Sequence, residues 1–288
     1  MTHAQHFDDR VCTLGEGPLW HPTRKQLFWF DITAARMLSR NASGPLEWQW
    51  DEMVSAAGWI DEATLLVAGE TGLWRFDIES GARARVAPLE ADDVVTRSND
   101  GRADPLGGFW IGTMGKNAEP EAGAIYRYYR GEVRKLYRDI TIPNAICFSP
   151  DGDTAFFADT AKGAIWKQHI DRAGWPSGKL EIFADFSGVG LNPDGAVCDA
   201  EGNLWIAQWG GWRIACHGPD GRFRVALDCG AAHVTCPAFG DDDLRSMYVT
   251  SATEGLADGA LEHQPGGGFT WVATDMPTRG QAEHRVVL

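Results

Sequence analysis

Short bursts of apolar residues punctuate the chain at long, nearly regular intervals. LFWFDI begins at Leu27, LLVAGE at Leu65, FWIGTM at Phe109, AFFADT at Ala155, LWIAQW at Leu204 and MYVTSA at Met247, so successive starts lie 38, 44, 46, 49 and 43 residues apart. Each burst opens on bulky or aromatic residues and most close on small or polar ones, the pattern of a strand buried on both faces that runs into a turn. None is long enough for an amphipathic helix. Turn-forming triplets precede several bursts, PDG at 150–152, EGN at 201–203 and DDD at 241–243. A second apolar run usually follows, as in GLWRFDI (72–78), GAIYRYY (123–129), GAIWKQH (163–169) and WRIACHG (212–218). Such neighbours read as consecutive antiparallel hairpins.

A six-fold repeat of short strands predicts an all-β chain folded as a six-bladed β-propeller with four-stranded antiparallel blades. A sandwich would place turns every ~8–12 residues without the longer period, and a solenoid of this period would need helices that the pattern lacks. No linker, charge block or low-complexity stretch divides residues 1–288, so one domain is expected. Closing the ring requires an N-terminal strand between Phe7 and Leu14 to pair with the last blade, because an open blade leaves an edge unpaired.

If the bursts are equivalent, residues about ten positions upstream share one place near the central channel. That register holds Glu16 in blade 1, Asn99 and Asp100 in blade 3, Asn144 in blade 4 and Asp194 in blade 5, with Ser55 and Cys236 at the matching places of blades 2 and 6. Singly, Asn99-Asp100-Gly101 and Asp194-Gly195 are ordinary turn sequences. Gathered on one axis, the carboxylates need a counter-charge. Glu16 and Asp194, with amide oxygens from Asn144 and Asn99, make a hard oxygen cage suited to an axial divalent ion: calcium, magnesium or manganese, with zinc reachable through the carboxylates.

Composition narrows the choices. A net charge of −14 opposes nucleic acid and anionic membranes as partners. The start, MTHAQHFDDR, has no apolar leader core, and no apolar run reaches ~18 residues, so a cytoplasmic protein is expected, monomeric or weakly oligomeric. The six cysteines form no CxxC pair and read as buried thiols, and the eight histidines form no HxH or HxxxH pair and are assigned to no metal. Ser98 and Ser149 lack a GxSxG elbow. The thirteen tryptophans read mostly as packing between blades, with Trp209 and Trp212 of QWGGW the pair open to a sugar-stacking role.

LGEGPLW (14–20), RSNDGRADPLGGFWIGTM (97–114), IPNAICFSPDG (142–152), NPDGAVCDAEGNLWIA (192–207) and MYVTSATEGL (247–256) together resemble the SMP-30/gluconolactonase family. The resemblance runs from about residue 14 to about residue 270. It implies a six-bladed propeller, a catalytic divalent metal and hydrolysis of a small-molecule sugar (aldono) lactone. By position, Glu16, Asn144 and Asp194 resemble the metal ligands, Asp194 also the general base, and Arg97 and Asn99 the substrate-contacting pair. In KNAEPEAGAIY a further substrate contact is placed at Glu119, with Glu121 the other candidate. Ala145 stands where the family usually has Gly after the ligand Asn, a departure that matters if that backbone needs positive φ.

Two readings compete with the lactonase. Related propellers use a similar ion to hydrolyse phosphotriesters, and a metal-binding propeller can also be a scaffold without turnover. For Arg97 the competing role is a surface ion pair with Asp92 or Asp93.

Overall fold

The six apolar bursts are the second strands of six four-stranded antiparallel sheets. The computed structural model describes residues 3–288. Within five sheets the strands follow chain order outward as a meander of hairpins, as the sequence repeat predicts, and in the sixth three strands do so before an N-terminal strand takes the outermost place. The innermost strands are Gly15–His21, Val54–Asp61, Thr96–Ala103, Pro143–Phe148, Asn192–Cys198 and Val234–Gly240. Each packs against the innermost strand of the next blade, and the last packs against the first, which makes the arrangement a closed propeller.

Burial explains the texture of the sequence. Gln26–Asp31 and Phe109–Gly115 are buried at every position, whereas the outer strand Gly44–Gln49 alternates between half-buried and exposed. The outer strand meets water on one face and so alternates, whereas the second strands, buried on both faces, read as unbroken apolar bursts. Aromatic side chains fill the wedges between blades. Phe28, Phe30 and Phe76 join the first and second blades, and Trp205, Phe239 and Trp271 join the fifth and sixth. Each such ring contributes about 1.5–3 kcal/mol on burial. All six cysteines are buried and unpaired.

Gln5–Asp8 closes the ring by pairing antiparallel with Thr270–Ala273, the outermost chain-order strand of the sixth blade. The closing strand therefore ends at Asp8, earlier than the stretch expected to form it. Residues after Arg10 instead cross to the first blade and are tied to the sixth on the way, where Cys12 N donates to Gly268 O at 2.9 Å and Leu14 bridges Ala252. Buried Asp8 fastens the closure, accepting from Arg10 Nε at 2.8 Å and Arg40 Nε at 2.9 Å.

The chain's last residues run across the ends of the inner strands. Gly280 bridges Asp199, Gln281 Nε2 donates to Phe148 O and Cys198 O, and Val286 N donates to Trp59 O. Buried Arg102 pairs there with Glu283. This strap crosses blades at the face where inner strands end; the residues of the axial register lie at the opposite face, where they begin. Among the described residues, no helix is long and apolar enough to cross a membrane.

Candidate active site

Every innermost strand slips its register against its neighbour near its start, at Glu16/Leu19, Val54/Ala56, Ser98/Gly101, Asn144/Cys147, Pro193/Ala196 and Val234/Pro237. A bulge bends a strand and re-aims its side chains. Here the bulges carry the axial register, and Glu16, Asn99, Asn144 and Asp194 line one cavity of ≈ 740 Å³ together with Arg97. The first and fourth blades build the bend alike. Gly17 has φ 55° and Ala145 also has φ 55°. The Ala145 departure is therefore not a neutral one: this backbone does enter the left-handed region, and a residue with a Cβ occupies it.

The two blades without a donor use the register differently. Ser55 Oγ hydrogen-bonds Ser98 Oγ at 2.8 Å and Asn99 O at 2.6 Å, bracing the third blade's bulge. Cys236 packs against the fifth blade so closely that a Cβ on Gly195 would lie 2.4 Å from its Sγ.

Electrostatics at the axis are strained. Glu16 and Asp194 are both buried. Burial and the nearby Asp100 charge push the Glu16 carboxyl up to about 8, although Gly17 N donates to its Oε2 at 2.8 Å. Burial, then the charges of Glu16 and Asp100, hold Asp194 well above the usual carboxylate range. Asp100 lies deeper, where burial pushes it up to about 6 against a 2.7 Å hydrogen bond from Ile146 N and the charge of Arg102.

Arg97 does not form the surface pair with Asp92 or Asp93. It is buried, and its Nη1 donates to Ser98 O at 2.9 Å and Asn99 Oδ1 at 2.8 Å. Burial pulls its guanidinium below the usual range, opposed by Glu254, Glu16 and Asp194. Asn99 Nδ2 donates to Pro143 O at 2.9 Å and Asn144 Oδ1 at 3.1 Å, while Asn144 Nδ2 donates to Thr160 Oγ1 at 2.9 Å. Both ends of the Asn99 amide are thus engaged, and the Asn144 oxygen keeps a lone pair for the axis.

The donor chemistry fits a divalent cation. Two buried carboxylates face one cavity, and the adjacent guanidinium donates from Nη1 to neutral oxygens and pairs with neither, so their charge lacks a contacting counter-ion. Among the described residues, no three His, Cys, Asp or Glu side chains converge on a metal-sized site. An ion held here would rest on Glu16, Asp194 and the Asn144 oxygen, a hard set with no imidazole or thiolate.

Glu119 sits behind the rim, its carboxylate accepting from Asn117 N at 3.0 Å and Asn117 Nδ2 at 2.9 Å; Asn117 and Ala118 line the cavity in its place. Glu121 is exposed, 3.7 Å from Lys162. Sequence reasoning singled out Trp209 but missed Lys116, Thr160 and Glu254; all four line the cavity. A signal for them exists, since each follows or ends an apolar burst, where a second strand leaves its sheet at this face.

The family model for the SMP-30/Gluconolactonase/LRE-like region matches residues 14–253. The chain belongs to the SMP-30/gluconolactonase family. Within that family it is 35% identical to the L-arabinolactonase of Azospirillum brasilense, over 91% of this chain and 88% of that protein. It is 31% identical to the 6-deoxy-6-sulfogluconolactonase of Pseudomonas putida, over 94% of each. A crystal structure of the calcium-binding protein regucalcin from Agrobacterium tumefaciens str. C58 matches with TM-score 0.97 and 37% identity, covering 100% of this chain and 98% of that one.

Proposed function

We propose that the chain, a lactonase of the gluconolactonase type, opens a sugar (aldono) lactone to the aldonic acid with one divalent metal ion held by Glu16, Asn144 and Asp194. The observation that carries this reading is the pair of buried carboxylates, Glu16 and Asp194, sharing a cavity with Arg97 and Asn99. The sugar lactonases among its relatives support the reaction, and the calcium-binding relative supports a divalent ion. The oxygen donors favour calcium, magnesium or manganese over zinc.

When bound, such an ion polarises an ester carbonyl and lowers the pKa of a water. Asp194 is the base for that water: a carboxylate that gives one oxygen to the ion keeps a second to accept a proton. As the water oxygen attacks the carbonyl carbon and the ring C–O bond breaks, the proton taken by Asp194 passes to the departing ring oxygen, which leaves as a hydroxyl. Arg97, held by Asn99, presents its remaining N–H groups to the substrate's oxygens. Glu119, being engaged by Asn117, acts on substrate through the position of that rim turn.

The test strips the protein of metal and follows acid release from five- and six-membered aldonolactones with each of calcium, manganese, magnesium and zinc restored. Wild type should accelerate opening with at least one ion, and Asp194→Asn should fall by about 10²-fold or more, the usual worth of a general base. An Asp194→Asn variant as active as wild type would remove Asp194 from the mechanism.

A further inference from the structure

Of the two tryptophans in QWGGW, the structure separates one from the other. Trp212 is 43% exposed, whereas Trp209 lines the cavity and is packed against the cluster containing Leu14 and Ala252. The indole of Trp209 stacks on the His233 ring, with centroids 4.2 Å apart and planes 17° from parallel. His233 is itself fixed, its Nδ1 hydrogen-bonding Glu254 O at 2.8 Å, and the next residue packs on the stack: a Cβ on Gly255 would lie 3.5 Å from His233 Cε1 and 3.6 Å from Trp209 Cζ2. Trp209, His233 and Glu254 thus form one rigid wall of an otherwise polar cavity.

The charges around that cavity are also specific. Its lining includes the carboxylates of Glu16, Asp194 and Glu254 and the cations Arg97 and Lys116. Lys116 is committed, its Nζ pairing with Glu70 and donating to Val94 O. Arg97 shares the cavity with Glu254, whose charge is the foremost of those that favour its ionised form, yet no ion pair joins them. Four carboxylates, counting Glu70, therefore balance two side-chain cations and one divalent ion. An anionic substituent entering the cavity would meet Arg97 as the one cation without a carboxylate partner, and Arg97 already lies in the field of Glu254, Glu16 and Asp194.

We infer that Trp209, stiffened by His233, is a stacking face for the C–H side of a sugar ring, and that Glu254 restricts the cavity to lactones without an anionic substituent. The inference rests on the lactonase reading and names its substrate class. A sugar ring combines an apolar C–H face with a hydroxyl rim, and an aromatic wall beside hydrogen-bonding carboxylate and guanidinium groups is its complement.

The test uses the metal-loaded protein and two probe pairs: D-glucono-1,5-lactone and its 6-phosphate for turnover, and D-glucose and D-glucose 6-phosphate, which lack the lactone carbonyl, for binding by calorimetry. Trp209→Leu keeps apolar bulk without an aromatic face and should raise KM for the neutral lactone about tenfold while kcat stays within about twofold, with D-glucose binding weakened alike. Trp209→Phe should restore most of the loss. Both phosphates should fare at least about tenfold worse than their neutral partners, and Glu254→Gln should narrow that gap. Glu254 is exposed, so its arm stands even if a Trp209 variant fails to fold. A wild type that opens neither lactone overturns the lactonase reading and this one together. A wild type active on the neutral lactone overturns this inference alone if Trp209→Leu leaves KM and D-glucose binding unchanged, or if phosphates are handled as well as neutral sugars.

Discussion

Gly17 and Ala145 occupy matching bulges with the same φ of 55°, yet their surroundings differ. A Cβ on Gly17 would lie 2.2 Å from the main-chain oxygen of Ser55, which cannot retreat without moving the second blade. Gly17→Ala is expected to cost about 2–4 kcal/mol, from left-handed strain and overpacking together. It should also weaken metal binding, because Glu16 is its neighbour. At Ala145 the opposing effects nearly cancel. Gly would relieve about 1 kcal/mol of strain but remove a buried methyl and loosen the unfolded chain. Ala145→Gly should therefore stay within about 1 kcal/mol of wild type. Urea denaturation of both variants checks the pair, and equal effects at the two positions would count against this account. The axial residues themselves were legible from the repeat, because a register argument needs only spacing. The left-handed turn at Ala145 was not, since a residue with a Cβ gives no sign of positive φ.

At the scale of elements, the second strands were the most legible because burial on both faces makes them continuous apolar runs. Outer strands such as Phe223–Asp228, exposed at most positions, carry no comparable signal. The bulges were invisible for another reason: an extra residue in one strand is defined by its partner, not by its own sequence. Closure was anticipated but misplaced by a few residues, since QHFD has little apolar character and owes its pairing to Thr270–Ala273. Its anchor, Asp8, gives a direct test. Asp8→Ala leaves Arg10 and Arg40 without their shared carboxylate and should cost about 2 kcal/mol, less than a wholly buried pair because both arginines reach solvent. Thermal unfolding of the variant should show a lower Tm, and an unchanged Tm would mean that the ring closes without this contact.

At the scale of the whole molecule, the axial charge links stability to pH. In the metal-free protein Glu16 and Asp194 hold protons at pH values where the unfolded chain has released them. Stability should therefore fall as pH rises from the ordinary carboxylate range to about 8. Burial lowers His21, His217 and His284, which works in the opposite direction but only up to about pH 6.5, where free histidine loses its proton. The clean window is thus about pH 6.5–8. With chelator present Tm should drop across it; adding a divalent ion at the upper end should restore Tm and release protons. A Tm that is flat across the window and indifferent to the ion would remove the axial charge from the stability of the fold. The strap of residues 280–288 escaped the sequence reading because it has no burst or turn signature; it is held largely through its main chain and through Arg102.

Each of the proposed oxygen donors arrives on a different blade, Glu16 on the first, Asn144 on the fourth and Asp194 on the fifth. A chain still folding has no place for the ion until those distant segments have met, so the ion can act only late in time. Saturating divalent ion should accordingly leave the refolding rate of the protein nearly unchanged and slow its unfolding, extending the lifetime of a finished molecule without hastening its birth. Stopped-flow mixing with and without the ion reads the two rates separately, and an ion that speeds refolding would mean that the axis is assembled before the ring is closed.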